Sequence, residues 1–257
     1  MTDYKKISQV ALFYIILIIL ILIVPTVLGG IGAYSVIIIL SLTFMIFNGI
    51  KVVPGGLAAG SIASIVSMTS IFAILLISGS ISVLSVKPDA LTIVAFGVLL
   101  QIFVAFGEEL SFRGFIFRAL DESTGRKAAA IVSSAMFALL HTPSMLVLGI
   151  SPAQAAIAAV SIFIASIVLT VLYIYGGLLN AVAFHFFWNL IQYHFIGTGP
   201  LDSALKVETH GNPIITGGAF GPEASIVGLL TISTVLAVLW WHYRKRAPLI
   251  ARKKSSS

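Results

Sequence analysis

The sequence predicts an all-α protein: a polytopic bundle of about eight transmembrane helices. Three observations predict it. Of the 257 residues, 59% are hydrophobic and 9% charged, whereas a typical soluble domain carries about 25% charged residues. Mean hydropathy is +1.10. The apolar residues also gather into runs close to the ~20 residues that cross a bilayer. A chain this apolar cannot cover itself with polar groups in water, but it can be solvated by lipid.

The same numbers exclude several classes. There is no cysteine, which removes disulfides, thiolate catalysis and Cys-ligated metal. The net charge of +6 is not a nucleic-acid footprint, because no basic face with polar or aromatic readout residues accompanies it. Lys5 and Lys6 precede the first apolar run. Arg244, Lys245, Arg246, Arg252, Lys253 and Lys254 follow the last. Lys and Arg gather on cytoplasmic flanks, so the basic ends read as topology.

Taken in order, the runs fall at roughly 9–29, 32–49, 57–84, 91–110, 128–142, 153–175, 177–196 and 225–243. The first is not a cleaved signal peptide, since it approaches a full span and no small-residue cleavage site follows it. The run 57–84 is long and rich in Ser and Gly, which suggests tilt or a break. The run 128–142 is short, as a half-span ending inside the protein would be. An even count puts both termini on one side, the cytoplasm, with Lys51, Arg118, Arg126 and Lys127. The connection from Thr198 to Glu223 then lies outside. Its Gly211, Asn212, Pro213, Gly217, Gly218, Gly221 and Pro222 mark it as a loop. The whole chain, 1–257, reads as one integral membrane domain with a basic tail over 244–257. No internal repeat supports a transporter of inverted halves.

Ionisable residues inside a membrane are costly and need a partner or a purpose. Three places hold them. The segment Gly107-Glu108-Glu109-Leu110-Ser111-Phe112-Arg113 sets Arg113 four residues after Glu109, the helical spacing of an ion pair. Glu108 projects about 100° away around the helix, which leaves it free as a general base. Phe137 stands one turn before His141, positioned to shield the imidazole. His185 and Asn189 share a face, with Phe186, Phe187 and Trp188 between them. Asn180, Gln192 and His194 fall near the ends of their run, where snorkelling accounts for them. At about 1.5 Å of rise per residue, Glu108 near the cytoplasmic end of its run could meet His141 and His185 in the inner half of the membrane.

Glu-Glu-x-x-x-Arg, then Phe-x-x-x-His, then His-x-x-x-Asn, on successive membrane helices, resembles the CAAX-prenyl-endopeptidase and bacteriocin-processing (CPBP) family, which includes the Ras-converting enzyme. The resemblance covers roughly residues 91–196, the expected catalytic core. It implies an all-helical bundle with a polar catalytic cavity within the membrane, and an intramembrane endopeptidase of the glutamate type. Glu108, aided by His141, would activate water, and His185 with Asn189 would form an oxyanion hole. Glu109, Arg113 and Phe137 would support them. The partners implied are a peptide or protein substrate at the membrane and the bilayer itself, with no nucleic acid. No cofactor is expected, there being no His-Glu-x-x-His motif. Were a metal present, it would be zinc on Glu108, His141 and His185. The competing readings are a non-catalytic scaffold or bacteriocin-immunity protein of the same fold, and a proton-coupled transporter.

Overall fold

The computed structural model describes residues 3–250. Arg252, Lys253 and Lys254 of the basic tail lie outside the described residues.

The first helix, α1 (Tyr4–Phe47), has 44 residues, about 66 Å if straight and twice the hydrocarbon thickness. It does not run straight. Gly29, at φ 66° and ψ 177°, adopts backbone angles open essentially to glycine. The chain folds back there, and the rings of Phe13 and Phe44 come within 5.1 Å. The two expected runs are thus the arms of one antiparallel helical hairpin.

The run expected over 57–84 proves to be two elements. Helix α2 (Ala58–Ile77) stops at a turn around Gly79. Ile81 onward, rich in β-branched residues, then forms a strand, β1 (Ile81–Val86), with an irregularity in register between Val83 and Ser85. It pairs antiparallel with β2 (Leu205–Thr209), with Ile81 opposite Thr209 and Val86 opposite Leu205. The expected outer loop therefore carries structure, and this small sheet is the one departure from the all-α bundle among the described residues.

Helix α3 (Ala90–Glu109) does not end where its apolar run ends. It continues through a π-helical stretch, Leu110–Ile116, into α4 (Phe117–Thr124), and Gly125 at φ 90° terminates it. No helix breaker intervenes, and the charge on Arg113 is compensated inside the bundle. Helix α5 (Arg126–Leu140) stops at His141, and Pro143 opens the short α6 (Thr142–Val147); together they make a 22-residue stretch long enough to cross a membrane, so the expected half-span is not one. Helix α7 (Pro152–Gly176) starts with a capping box from Ser151 to Gln154. Helix α8 (Leu178–Asn189) runs on into a second π-helical stretch, Leu190–Ile196. After β2 come the single turn α9 (Pro213–Thr216), a 3₁₀ turn at Pro222–Ala224 and α10 (Ile226–Tyr243), capped by Ser225.

Among the described residues, six helices are long and apolar enough to cross a membrane, with α1 counted once. The α8 rod is not among them, because Asn180, His185, Asn189, Gln192 and His194 dilute its apolar character. These residues are not at the surface. Asn180, Gln192 and His194 are 4%, 0% and 3% exposed, which overturns the snorkelling expectation. Each satisfies a specific partner instead: Asn180 Oδ1 accepts from the Gly60 amide, Gln192 donates to Glu223, and His194 meets Gln101.

The first and last described residues lie at one end of the bundle. Lys6 pairs with Glu122 at the end of α4. Arg126, which opens α5, bonds the carbonyl of Ile250, and the Ile250 amide bonds Ile174 near the end of α7. The Gly29 fold, the β1–β2 sheet and the loops before α7 and α10 lie at the other end.

Candidate active site

The site is built where α3 passes into its π stretch and α8 passes into its own. Such widened turns recur at functional positions, and here each begins just after a motif: Glu108-Glu109 in one helix, His185 to Asn189 in the other.

Glu109 is fully buried, and its Oε1 accepts two hydrogen bonds. Arg113 Nη1 donates at 3.0 Å and His185 Nδ1 at 2.8 Å. The first is the ion pair expected from the i, i+4 spacing. Arg113 Nη2 then donates to the carbonyl and hydroxyl of Ser166 on α7, at 2.9 and 2.8 Å. Its guanidinium lies 4.8 Å from the centre of the Phe137 ring. Phe137 also stands 4.9 Å from His141 and 6.2 Å from His185, ring to ring. It therefore separates the two imidazoles and walls off the cation, a larger part than shielding His141 alone.

Glu108 faces elsewhere, as adjacent helical residues must. Tyr34, on the second arm of α1, donates to its Oε1 at 2.8 Å. That approach requires Gly107: a Cβ there would stand 2.8 Å from Tyr34 Cδ1. The other oxygen, Oε2, is buried without a hydrogen-bond partner, 3.8 Å from His185 Nε2. Glu108 lines a cavity of about 380 Å³ together with His141, His185, Asn189, Gln101 and Tyr34. Glu108, His141, His185 and Asn189, named from three separate sequence segments, thus share one cavity wall.

Hydrogen bonding sets the imidazole tautomers. His141 Nδ1 lies 2.8 Å from the Phe137 carbonyl, which can only accept, so Nδ1 carries the hydrogen. His185 Nδ1 likewise donates to Glu109. Both Nε2 atoms remain for chemistry in the cavity. Asn189 Nδ2 gives one hydrogen to Gln101 Oε1 at 3.1 Å. Gln101 is oriented in turn by His194, 3.1 Å away. One amide hydrogen of Asn189 is left over. Among the described residues, no group of three His, Asp or Glu side chains is arranged to hold a metal ion.

Two expectations change. The imidazole against Glu108 is that of His185, while His141 reaches the same cavity from further around its wall. Glu108 is also not at a helix end, because α3 continues to Thr124. Sequence reasoning missed Tyr34, Gln101, Ser166 and Glu223. Gln101 had a usable signal as a lone amide in an apolar run. Glu223 was set aside in the outer connection, yet it accepts from Trp188 Nε1 and Gln192 Nε2, both at 2.7 Å, and lines the cavity. Burial pushes its carboxyl above the usual range, against the pull of those bonds.

Residues 90–191, which span α3 to the start of the second π stretch, match the family model described as Type II CAAX prenyl endopeptidase Rce1-like. No curated protein and no solved structure matches the chain.

Proposed function

We propose, from the match of residues 90–191 to the Rce1-like family model, that the chain is a member of the CAAX-prenyl-endopeptidase and bacteriocin-processing family and an intramembrane endopeptidase in which Glu108 activates the hydrolytic water. The family points to a membrane protease, and the residue-level mechanism is our reading. The observation that carries it is Glu108, a buried carboxylate on the wall of the cavity, one of whose oxygens has no donor. Leaving a buried carboxylate oxygen unpaired costs free energy, and a water O–H there would satisfy it.

An amide needs a nucleophile, a proton acceptor and a stabiliser of the developing oxyanion. In the proposed step, water bound to Glu108 Oε2 attacks the peptide carbonyl and gives its proton to that carboxylate. His141, with a lone pair on Nε2, holds the second hydrogen of the same water. The oxyanion is met by the spare Asn189 amide hydrogen and by His185 protonated at Nε2, an imidazolium stabilised by Glu109 at Nδ1. Glu108 then returns its proton to the leaving amine as the C–N bond breaks. Tyr34 fixes the Glu108 carboxylate, and Glu109, Arg113, Ser166 and Phe137 hold the frame. No step uses a metal.

The substrate in this reading is a peptide or protein segment at the membrane. The protein is a multi-pass membrane protein, and we place both termini in the cytoplasm, on the distribution of Lys and Arg. The test is comparative peptidomics of cells carrying the wild type or Glu108→Gln at matched abundance. The expected result is an uncleaved precursor that accumulates only with the variant. Unchanged processing by Glu108→Gln would rule the mechanism out.

A further inference from the structure

We propose that the cavity takes its substrate from the extracytoplasmic side of the membrane, so that the peptide cut is an exported or outward-facing juxtamembrane segment. This rests on the endopeptidase reading above and adds the direction of entry.

The first observation is where the cavity opens. Every loop or turn residue on its wall comes from the end of the bundle opposite the termini: Gly30 beside the hairpin fold, Ser144 in α6, Pro200 and Leu201 after α8, and Phe220 and Glu223 before α10. Among the described residues, none comes from the connections at the terminal end, which are 48–57, 125, 177 and 244–250. Depth agrees. Tyr34 stands five residues past the fold at Gly29, about 7 Å along its arm. His141 lies beyond the 15 residues of α5, about 22 Å from the terminal end.

The second observation, independent of the first, is charge. The terminal end holds Lys5, Lys6, Lys51, Arg118, Arg126, Lys127, Arg244, Lys245 and Arg246. Among the described residues, Lys87 and Lys206 are the Lys and Arg side chains at the cavity end, set among Asp89, Asp202, Glu208 and Glu223. An asymmetry of that size orients the basic end to the cytoplasm, which turns the cavity mouth outward. The mouth suits an extended, largely apolar segment: Leu201 is 42% exposed at the rim, Pro200 is exposed beside it, and Glu223 is the one carboxylate there. The expectation of a site near the cytoplasmic leaflet is thereby reversed.

The absence of cysteine makes the test direct. Leu201→Cys at the mouth, Glu208→Cys on the same face away from the cavity, and Lys245→Cys at the basic end are each treated in intact cells with a bulky, membrane-impermeant maleimide. Leu201→Cys and Glu208→Cys are expected to label in intact cells, and Lys245→Cys only after the membrane is disrupted. Labelling is expected to abolish precursor cleavage by Leu201→Cys relative to its own unlabelled baseline, and to leave that of Glu208→Cys unchanged. The inverse labelling pattern overturns the proposal. So does labelling of Leu201→Cys that leaves cleavage intact. Either result stands apart from the Glu108→Gln experiment, whose failure would strike the protease reading whatever the orientation.

Discussion

The Tyr34 hydroxyl donates to Glu108 Oε1 at 2.8 Å, across 74 residues of sequence, and so holds that carboxylate on the cavity wall. A hydrogen bond to a charged group contributes about 1.5–3 kcal/mol. Tyr34→Phe should therefore lower the cleavage rate by roughly ten- to a hundredfold while the protein still accumulates in the membrane. Gly107→Ala, which forces the phenol aside, should reproduce the defect. Quantitative precursor-to-product ratios at matched protein level check both, and a fully active Tyr34→Phe would remove Tyr34 from the site.

Arg113 is the most deeply committed charge. It is 1% exposed and satisfied by Glu109 and Ser166. Breaking a buried pair by removing one partner costs about 3–5 kcal/mol. Arg113→Ala should be lost from the membrane fraction or unfold at much lower temperature in detergent. Ser166→Ala, which removes one of several bonds to Arg113, should lose only about 1 kcal/mol.

Asn189 and Gln101 separate chemistry from positioning. Removing an oxyanion donor costs roughly 10²–10³ in kcat, the expected loss for Asn189→Ala. Gln101→Leu keeps the donor but frees its orientation, so a smaller fall is expected, partly rescued in Gln101→Glu, whose carboxylate still accepts from Asn189. Thermal stability of all three should remain close to wild type. An Asn189→Ala protein of normal rate would assign the oxyanion elsewhere.

Glu223 ties the connection before α10 to α8. Its carboxyl is raised mainly by burial, so the folded state binds its proton more tightly than the unfolded one. The sign follows: this contribution is present below the ordinary glutamate value of 4.5 and is lost as pH rises through the raised value. Between acid and neutral pH, the wild type should lose stability that Glu223→Gln does not. Thermal midpoints of the two in detergent across that range check it, and parallel curves would contradict it.

The proposed reaction needs no metal ion. Cleavage by purified protein should therefore survive chelation at neutral pH and gain nothing from added zinc. Loss of activity on chelation, restored by stoichiometric zinc, would replace the mechanism with one in which Glu108, His141 and His185 are ligands.

Much of the fold was legible because a bilayer leaves few choices: a long apolar run must be a helix that satisfies its own backbone. The Glu109–Arg113 pair was legible for a similar reason, its i, i+4 spacing being a property of one helix. What escaped was set by contacts between elements. Nothing local to Tyr34 says that it meets Glu108, because the fold at Gly29 brings the second arm of α1 back beside α3. Asn180, Gln192 and His194 sit near segment ends, where polarity suggests exposure, and only neighbours on other elements show that they are buried. Glu223 looked like one polar residue in a loop until Trp188 and Gln192 claimed it. Ile81–Val86 was absorbed into a span, since apolarity alone does not separate a strand from the end of a helix.

Sequence alone was enough to read that this chain spans a membrane, where its few intramembrane ionisable residues lie, and which family its central segment resembles, because hydrophobicity and motif spacing are properties of a single strand of residues. Tertiary structure decided which imidazole stands against Glu108, which oxygen of Glu108 is left without a hydrogen-bond partner, and which end of the bundle lines the cavity. Those depend on how separate helices are packed, and the packing of one helix against another is not written within either helix alone.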